Sequence, residues 1–233
     1  MDIQILEFTA GAGQAKGLTV IIDVFRAFSL ECYLFGAGAE EIYAVGKEET
    51  ARELKKEHPE YVLIGERGGK ILPGFDYGNS PSQTKEAKLT GKTVIHTTSA
   101  GTQGLVNAKA ADQIITGSLV NAKAIARYIK KKNPDTVSLV AMGLAGQKRA
   151  PEDLLCARYI KSLLEGSPMD MDGEIALLKY SSSALKFFEE KNQEIFPEED
   201  FYMCTEYDKY GFVLEAKKAG EDIFCVRKTA DED

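Results

Sequence analysis

Cysteine is sparse and scattered: Cys32, Cys156, Cys204 and Cys225 show no C-x-x-C spacing, so neither a disulfide framework nor a clustered zinc site is expected. The opening Met-Asp-Ile-Gln lacks the basic region of a signal peptide, and a reducing, cytoplasmic address is the expectation. Long apolar runs are also missing. The longest, from Leu18 to Ala39, carries Asp23, Arg26 and Glu31, which are costly in a bilayer, and no membrane partner is expected. Positive charge is in deficit, with a net charge of -7, which argues against a general nucleic-acid binder because phosphate-backbone affinity needs clustered Lys and Arg. Any anionic partner must therefore meet a local basic pocket. Histidine is reduced to His58 and His96. Two nucleotide motifs fail as well. Gly65–Lys70 lacks P-loop spacing, with Ile71 where a magnesium-binding Ser or Thr belongs, and Gly11-Ala-Gly-Gln-Ala-Lys-Gly17 precedes the first clear strand.

What is present is an ordinary globular composition, 44% hydrophobic and 28% charged, in a chain of 233 residues read as one domain, 1–233. Short apolar runs alternate with helical patterns, the signature of an α/β protein with a three-layer α/β/α arrangement and a largely parallel or mixed sheet. Strands are predicted at Leu18–Asp23, Glu41–Val45, Val62–Ile64, Thr93–His96, Gln113–Thr116, Thr136–Met142 and Ile223–Val226. Helical spacing falls at Glu48–Glu57, Ala100–Ala108, Asn121–Lys131, Pro151–Leu164 and Met171–Glu190, and a loose acidic tail at Asp231–Asp233.

Polar clusters follow the strands repeatedly. Asp23, Arg26 and Ser29 come after Thr-Val-Ile-Ile, Glu66 and Arg67 after Val-Leu-Ile-Gly, and Thr97, Thr98 and Ser99 after Thr-Val-Ile-His. Ligands of open α/β sheets bind outside the carboxyl ends of the strands, so these clusters are expected to converge on one crevice. Asp23 alone could be an N-cap, but Arg26 beside it suits a site that holds both a cation and a phosphate. The run Thr97-Thr-Ser-Ala-Gly101-Thr102 sets hydroxyls and a glycine at a strand-to-helix passage, an arrangement that can cradle an anion. Ser118 and Asn121 read equally as plain caps. The Gly- and Pro-rich segment Gly65–Ser82 is a functional loop. It carries Glu66, Arg67, Lys70, Asp76, Asn79 and Ser80. Near Pro151, Lys148 and Arg149 stand beside Glu152 and Asp153, repeating the acid-and-base pairing. Hard magnesium takes oxygen ligands, which Asp23, Glu152 and Asp153 could supply.

Taken together, Ile22-Asp-Val-Phe-Arg-Ala27, Gly65-Glu-Arg-Gly-Gly69, Pro73-Gly-Phe-Asp-Tyr-Gly-Asn-Ser-Pro81, Thr97–Thr102, Gly117-Ser-Leu-Val-Asn121 and Glu152-Asp-Leu-Leu-Cys-Ala157 resemble the 2-phosphosulfolactate phosphatase family. The resemblance implies an α/β/α magnesium-dependent acid phosphatase that acts on 2-phospho-3-sulfolactate in coenzyme M biosynthesis. The first block departs from the family at Phe28-Ser-Leu, where Thr-Ser-Thr is usual, and Ala100 stands where Asn is common. These changes remove possible ligand contacts and bear on the substrate more than on the reaction class.

On this reading Asp23, with Glu152 or Asp153, holds Mg2+. Arg26 and the Thr97–Thr102 run, including Gly101, meet the phosphoryl group, while Arg67 and Lys148 or Arg149 receive the acidic groups. Glu66, Asn79, Ser80 and Ser118 complete the expected substrate site. The partner expected is a small anionic molecule, with a homodimer left open. An aspartyl-phosphate route through Asp23 is the mechanistic alternative, although Phe25 occupies the second position of an Asp-x-Asp pair. A phosphatase for another phosphorylated acid and a non-catalytic phosphometabolite-binding domain are the functional alternatives.

Overall fold

Alternation along the central strands decides the layering. In the strand over residues 17–22, Leu18, Val20 and Ile22 enter one core while Ile21 enters another, as period-two side chains must. The computed structural model describes residues 1–229, so the tail Asp231–Asp233 lies outside the described residues. In chain order the strands are β1 (Asp2–Glu7), β2 (Gly17–Ile22), β3 (Glu41–Val45), β4 (Val62–Arg67), β5 (Lys70–Ile71), β6 (Thr93–Thr97), β7 (Ala111–Gly117), β8 (Thr136–Ala141), β9 (Leu214–Lys218) and β10 (Ile223–Lys228). The α-helices are α1 (Phe8–Gln14), α2 (Ala27–Gly36), α3 (Glu48–Glu57), α4 (Gly101–Asn107), α5 (Ala122–Lys132), α6 (Pro151–Glu165), α7 (Met171–Leu178) and α8 (Glu198–Thr205). Among the described residues no helix is long and apolar enough to cross a membrane.

The strands form one mixed sheet in the order β1-β8-β2-β7-β9-β10-β3-β6-β4-β5. A parallel block, β1-β8-β2-β7, is joined through the antiparallel β9–β10 ribbon to a second parallel block, β3-β6-β4. Helices cover both faces, giving the three-layer α/β/α fold. One core packs α1 and α2 against Ile21, Val140 and Met142, and the other packs α5 and α6 against Val20, Val137 and Leu139. Three antiparallel pairings separate the blocks, yet the carboxyl ends of β2 and β8 meet those of β4 and β6 at one cavity. The twist accumulated across so wide a sheet permits this.

The predicted strands are all present, and the differences lie elsewhere. β1 and α1 precede Leu18, so the Gly11–Gly17 segment follows a strand after all, with Gly11 and Gly13 inside α1. The helix expected over Met171–Glu190 ends at Leu178, beyond which Ser181 Oγ accepts from the Ala184 N–H, a local bond that competes with helix.

Candidate active site

Asp23 follows β2, and its Oδ1 accepts the Ala27 N–H at 3.3 Å, so it does serve the turn into α2. Its other oxygen, Oδ2, lies against Gly101, whose backbone N–H also favours the ionised carboxylate, and Asp23 borders the cavity beyond the strand ends. Asp153 sits in the first turn of α6 with both oxygens engaged: Oδ1 accepts the Val24 N–H and Oδ2 the Gly143 N–H, each at 2.8 Å. That carboxylate ties the loop after β2 to the loop after β8. Its neighbour Glu152 accepts from the Ser183 hydroxyl at 2.5 Å through Oε2, and its own backbone N–H also favours the ionised carboxylate. Glu66, at the end of β4, accepts the Ser99 N–H at 2.7 Å and the Gly69 N–H at 2.6 Å.

These four carboxylates line one cavity of about 390 Å3, and all are buried. Burial pushes the Asp23 carboxyl up to about 7, with Glu66 and Glu152 adding repulsion. Asp153 is held well above the carboxylate range by burial, then by Asp23 and Glu152. Burial also raises Glu152. Such a cluster favours a counter-cation.

Arg26 supplies one positive charge and is tightly held. Its Nη1 donates to Asp200 Oδ2 at 2.7 Å and to the Ile195 carbonyl at 2.8 Å, its Nη2 donates to the Gly69 carbonyl at 3.3 Å, and Phe196 stacks 4.8 Å away. Ser80 Oγ and the Ser82 N–H in turn donate to the other Asp200 oxygen. The Phe25–Arg26 peptide is cis.

The Thr97–Thr102 run enters the site differently from the expected cradle. The Ser99 N–H is taken by Glu66, and the Thr102 N–H is taken by Thr98 Oγ1 at 3.3 Å, so these amides brace the loop. Gly101 packs close enough that a Cβ would sit 3.1 Å from Asp23 Oδ2. Thr97 is buried and receives a hydrogen bond from Arg67 Nη2 at 3.1 Å. Thr98, Ser99 and Asn79 line the cavity. Behind it runs a buried chain, with Asn79 Oδ1 3.3 Å from His96 Nε2 and His96 Nδ1 3.0 Å from Glu31 Oε1.

Several sequence-predicted residues stand apart from this cavity. Ser118 closes a capping box with Asn121 and bonds Ser29 at 2.5 Å, which is the capping alternative. Arg149 is exposed and paired with Glu7 at 2.8 Å, and Lys148 is exposed as well, because the chain turns outward between β8 and α6. Arg67 donates to the Glu66 carbonyl and to Thr97 and does not line the cavity. The sequence reading missed Lys186, Ser183, Phe196 and Asp200, all close to the site. The only signal was the acidic start of α8.

Magnesium can be tested against the donor set. Among the described residues no group of three or more His, Cys, Asp or Glu side chains is arranged to hold a metal ion. Magnesium, however, keeps several waters and needs only one or two carboxylates, and Asp23 and Glu152 stand together on the cavity wall in a repelling carboxylate cluster. That donor set fits a largely hydrated ion.

A sequence model of a family described as 2-phosphosulpholactate phosphatase matches residues 5–219. The chain is 36% identical over 207 residues to a protein of Bacillus subtilis (strain 168) named "Probable 2-phosphosulfolactate phosphatase", with 88% of this chain and 89% of that one covered. A protein of the same name from Caldicellulosiruptor saccharolyticus is 37% identical over 214 residues, covering 90% and 84%. One from Carboxydothermus hydrogenoformans is 45% identical over 165 residues, covering 70% and 68%.

Proposed function

The chain belongs to the 2-phosphosulpholactate phosphatase family, a phosphoric monoester hydrolase, and we propose that its cavity hydrolyses 2-phospho-3-sulfolactate with the help of Mg2+. The observation that carries the proposal is the cluster of buried, mutually repelling carboxylates, Asp23 and Glu152 foremost, on the cavity that Arg26 also lines. Asp23 and Glu152 would hold the ion, which when bound neutralises phosphoryl charge and lowers the barrier to attack by water. Asp153 is assigned to positioning, because its oxygens already tie the first turn of α6, which carries Glu152, to the loop that carries Asp23 and to the loop after β8. Arg26, held in place by Asp200, faces the phosphoryl oxygens, and Ser99 and Asn79 offer further polar groups at the cavity wall. The P–O ester bond breaks as water bonds to phosphorus and gives up a proton, and the leaving alkoxide takes up a proton in turn, so none is gained or lost overall. Under the same proposal the product, 3-sulfolactate, belongs to coenzyme M biosynthesis, and the buried free thiols of Cys32, Cys156 and Cys204 suit a cytoplasmic address.

Free phosphate measured on a panel of phosphorylated small acids and one aryl phosphate tests this reading. The expected result is a preference of tenfold or more for 2-phospho-3-sulfolactate, loss of turnover in chelator and recovery on adding magnesium. A stronger preference for another phosphorylated acid would reassign the substrate, and turnover indifferent to chelator would remove the ion.

A further inference from the structure

Lys186 lies on the short turn Leu185–Phe187 and lines the same cavity, yet nothing above assigns it a role. Its ammonium makes neither a hydrogen bond nor an ion pair among the described residues. It rests against aromatic rings instead, 4.6 Å from the Phe196 centroid and 5.3 Å from that of Phe187. The other cation on the cavity is in a different position. Arg26 is paired with Asp200 at 2.7 Å inside the protein, so its charge is already balanced. Arg67, Lys148 and Arg149 do not line the cavity at all. Lys186 is therefore the cavity cation whose charge is uncommitted.

The surroundings sharpen this. Burial holds the Lys186 ammonium below the usual lysine range and Arg26 adds repulsion, while Glu152, Asp23 and Glu66 attract it. An anionic ester entering a wall of four carboxylates meets repulsion that one neutralised arginine does not offset. A lysine suits the task because its compact charge, on a four-carbon stem with three donors, can turn from the aromatic rings toward an arriving anion. The aromatic faces hold the ammonium in the meantime without consuming its hydrogen-bonding capacity.

We infer that the Lys186 ammonium is a substrate-binding group that contacts an anionic group of the bound ester and completes the charge balance of the cavity, an assignment that rests on the phosphatase reading. Lys186 falls inside the helix expected over Met171–Glu190, a helix that ends at Leu178, so its place on the cavity wall was not legible in the local pattern.

Two measurements on the full chain test this. Pyridoxal 5'-phosphate is a phosphorylated aldehyde, and its aldehyde carbon condenses with a lysine amine to form an imine with loss of water. Added borohydride then delivers hydride to the C=N bond and fixes a secondary amine that peptide mass spectrometry can locate. Lys186 should be the principal labelled lysine, and inorganic phosphate should protect it. In parallel, Lys186→Met should raise the KM for an acidic phosphate ester and the inhibition constant of inorganic phosphate by tenfold or more at an unchanged melting temperature, with Lys186→Arg recovering part of the loss. Absence of label on Lys186, or constants in Lys186→Met within twofold of the parent, would overturn the assignment. A parent protein that releases no phosphate from any ester would instead sink the phosphatase reading, and the labelling and protection arm would still decide Lys186.

Discussion

Asp23 carries two duties on two oxygens, one toward the Ala27 N–H and one toward the cavity. Asp23→Asn keeps an oxygen for the turn but removes a charge that Glu66 and Glu152 repel. Turnover is expected to fall by roughly a hundredfold or more, while the melting temperature is unchanged or raised, as when a strained site carboxylate is relaxed. Full activity in the Asn variant would remove Asp23 from the ion. Glu31 and His96 present a different balance, because both are fully buried and Glu31 Oε2 has no partner at all. His96→Leu alone strands the Glu31 carboxylate and is expected to cost about 3–5 kcal/mol, whereas adding Glu31→Met should recover most of that. Urea melts of the two variants check the coupling, and equal costs would show that the pair is not one. The sequence shows His96 and Glu31 only separately, because the pairing spans 65 residues along the chain.

Among the elements, the β4–β5 hairpin shows why the loop Gly65–Ser82 is rich in glycine. Gly69 adopts φ +83°, its N–H meets Glu66, its carbonyl meets Arg26, and a Cβ there would enter the Phe196 ring. Gly69→Ala should therefore push Phe196 and Arg26 out of place, costing about 1–3 kcal/mol of stability and raising KM, as seen in urea melts and steady-state kinetics. A KM equal to that of the parent would show that the hairpin does not hold the site. The strand ends were legible because apolar runs give way abruptly to polar clusters after β2, β4 and β6. β9 was not, since Leu-Glu-Ala-Lys-Lys consists of good helix formers that become a strand only by pairing with β7 and β10. Residues 181–200 were opaque for a related reason. Lys186 and Phe196 are brought to the cavity, and Asp200 to Arg26 behind it, by tertiary packing around Phe25 and Arg26, not by any local pattern.

For the molecule as a whole, the buried carboxylate cluster makes stability a function of pH and of the ion. In the unfolded chain Asp and Glu ionise near 4. In the folded protein Asp23 ionises at about 7, and Glu152 and Asp153 are shifted in the same direction. Between those limits the folded state holds more protons than the unfolded state, so stability is greatest at the acidic end of the window and declines as pH rises through about 7. Net charge of -7 adds general repulsion on the same side. A cation binds only the ionised carboxylates of the folded site, so it should restore stability where the protons have left and do little where they remain. The melting temperature of the metal-free protein is thus expected to fall between about pH 5 and pH 7.5, and millimolar magnesium should raise it at pH 7.5 but hardly at pH 5. Asp23→Asn should flatten both dependences. Calorimetry on the parent and the variant decides the matter: a parent melting temperature indifferent to magnesium at pH 7.5 would leave the cluster without its ion, and an unflattened slope in the variant would place the titration on other groups.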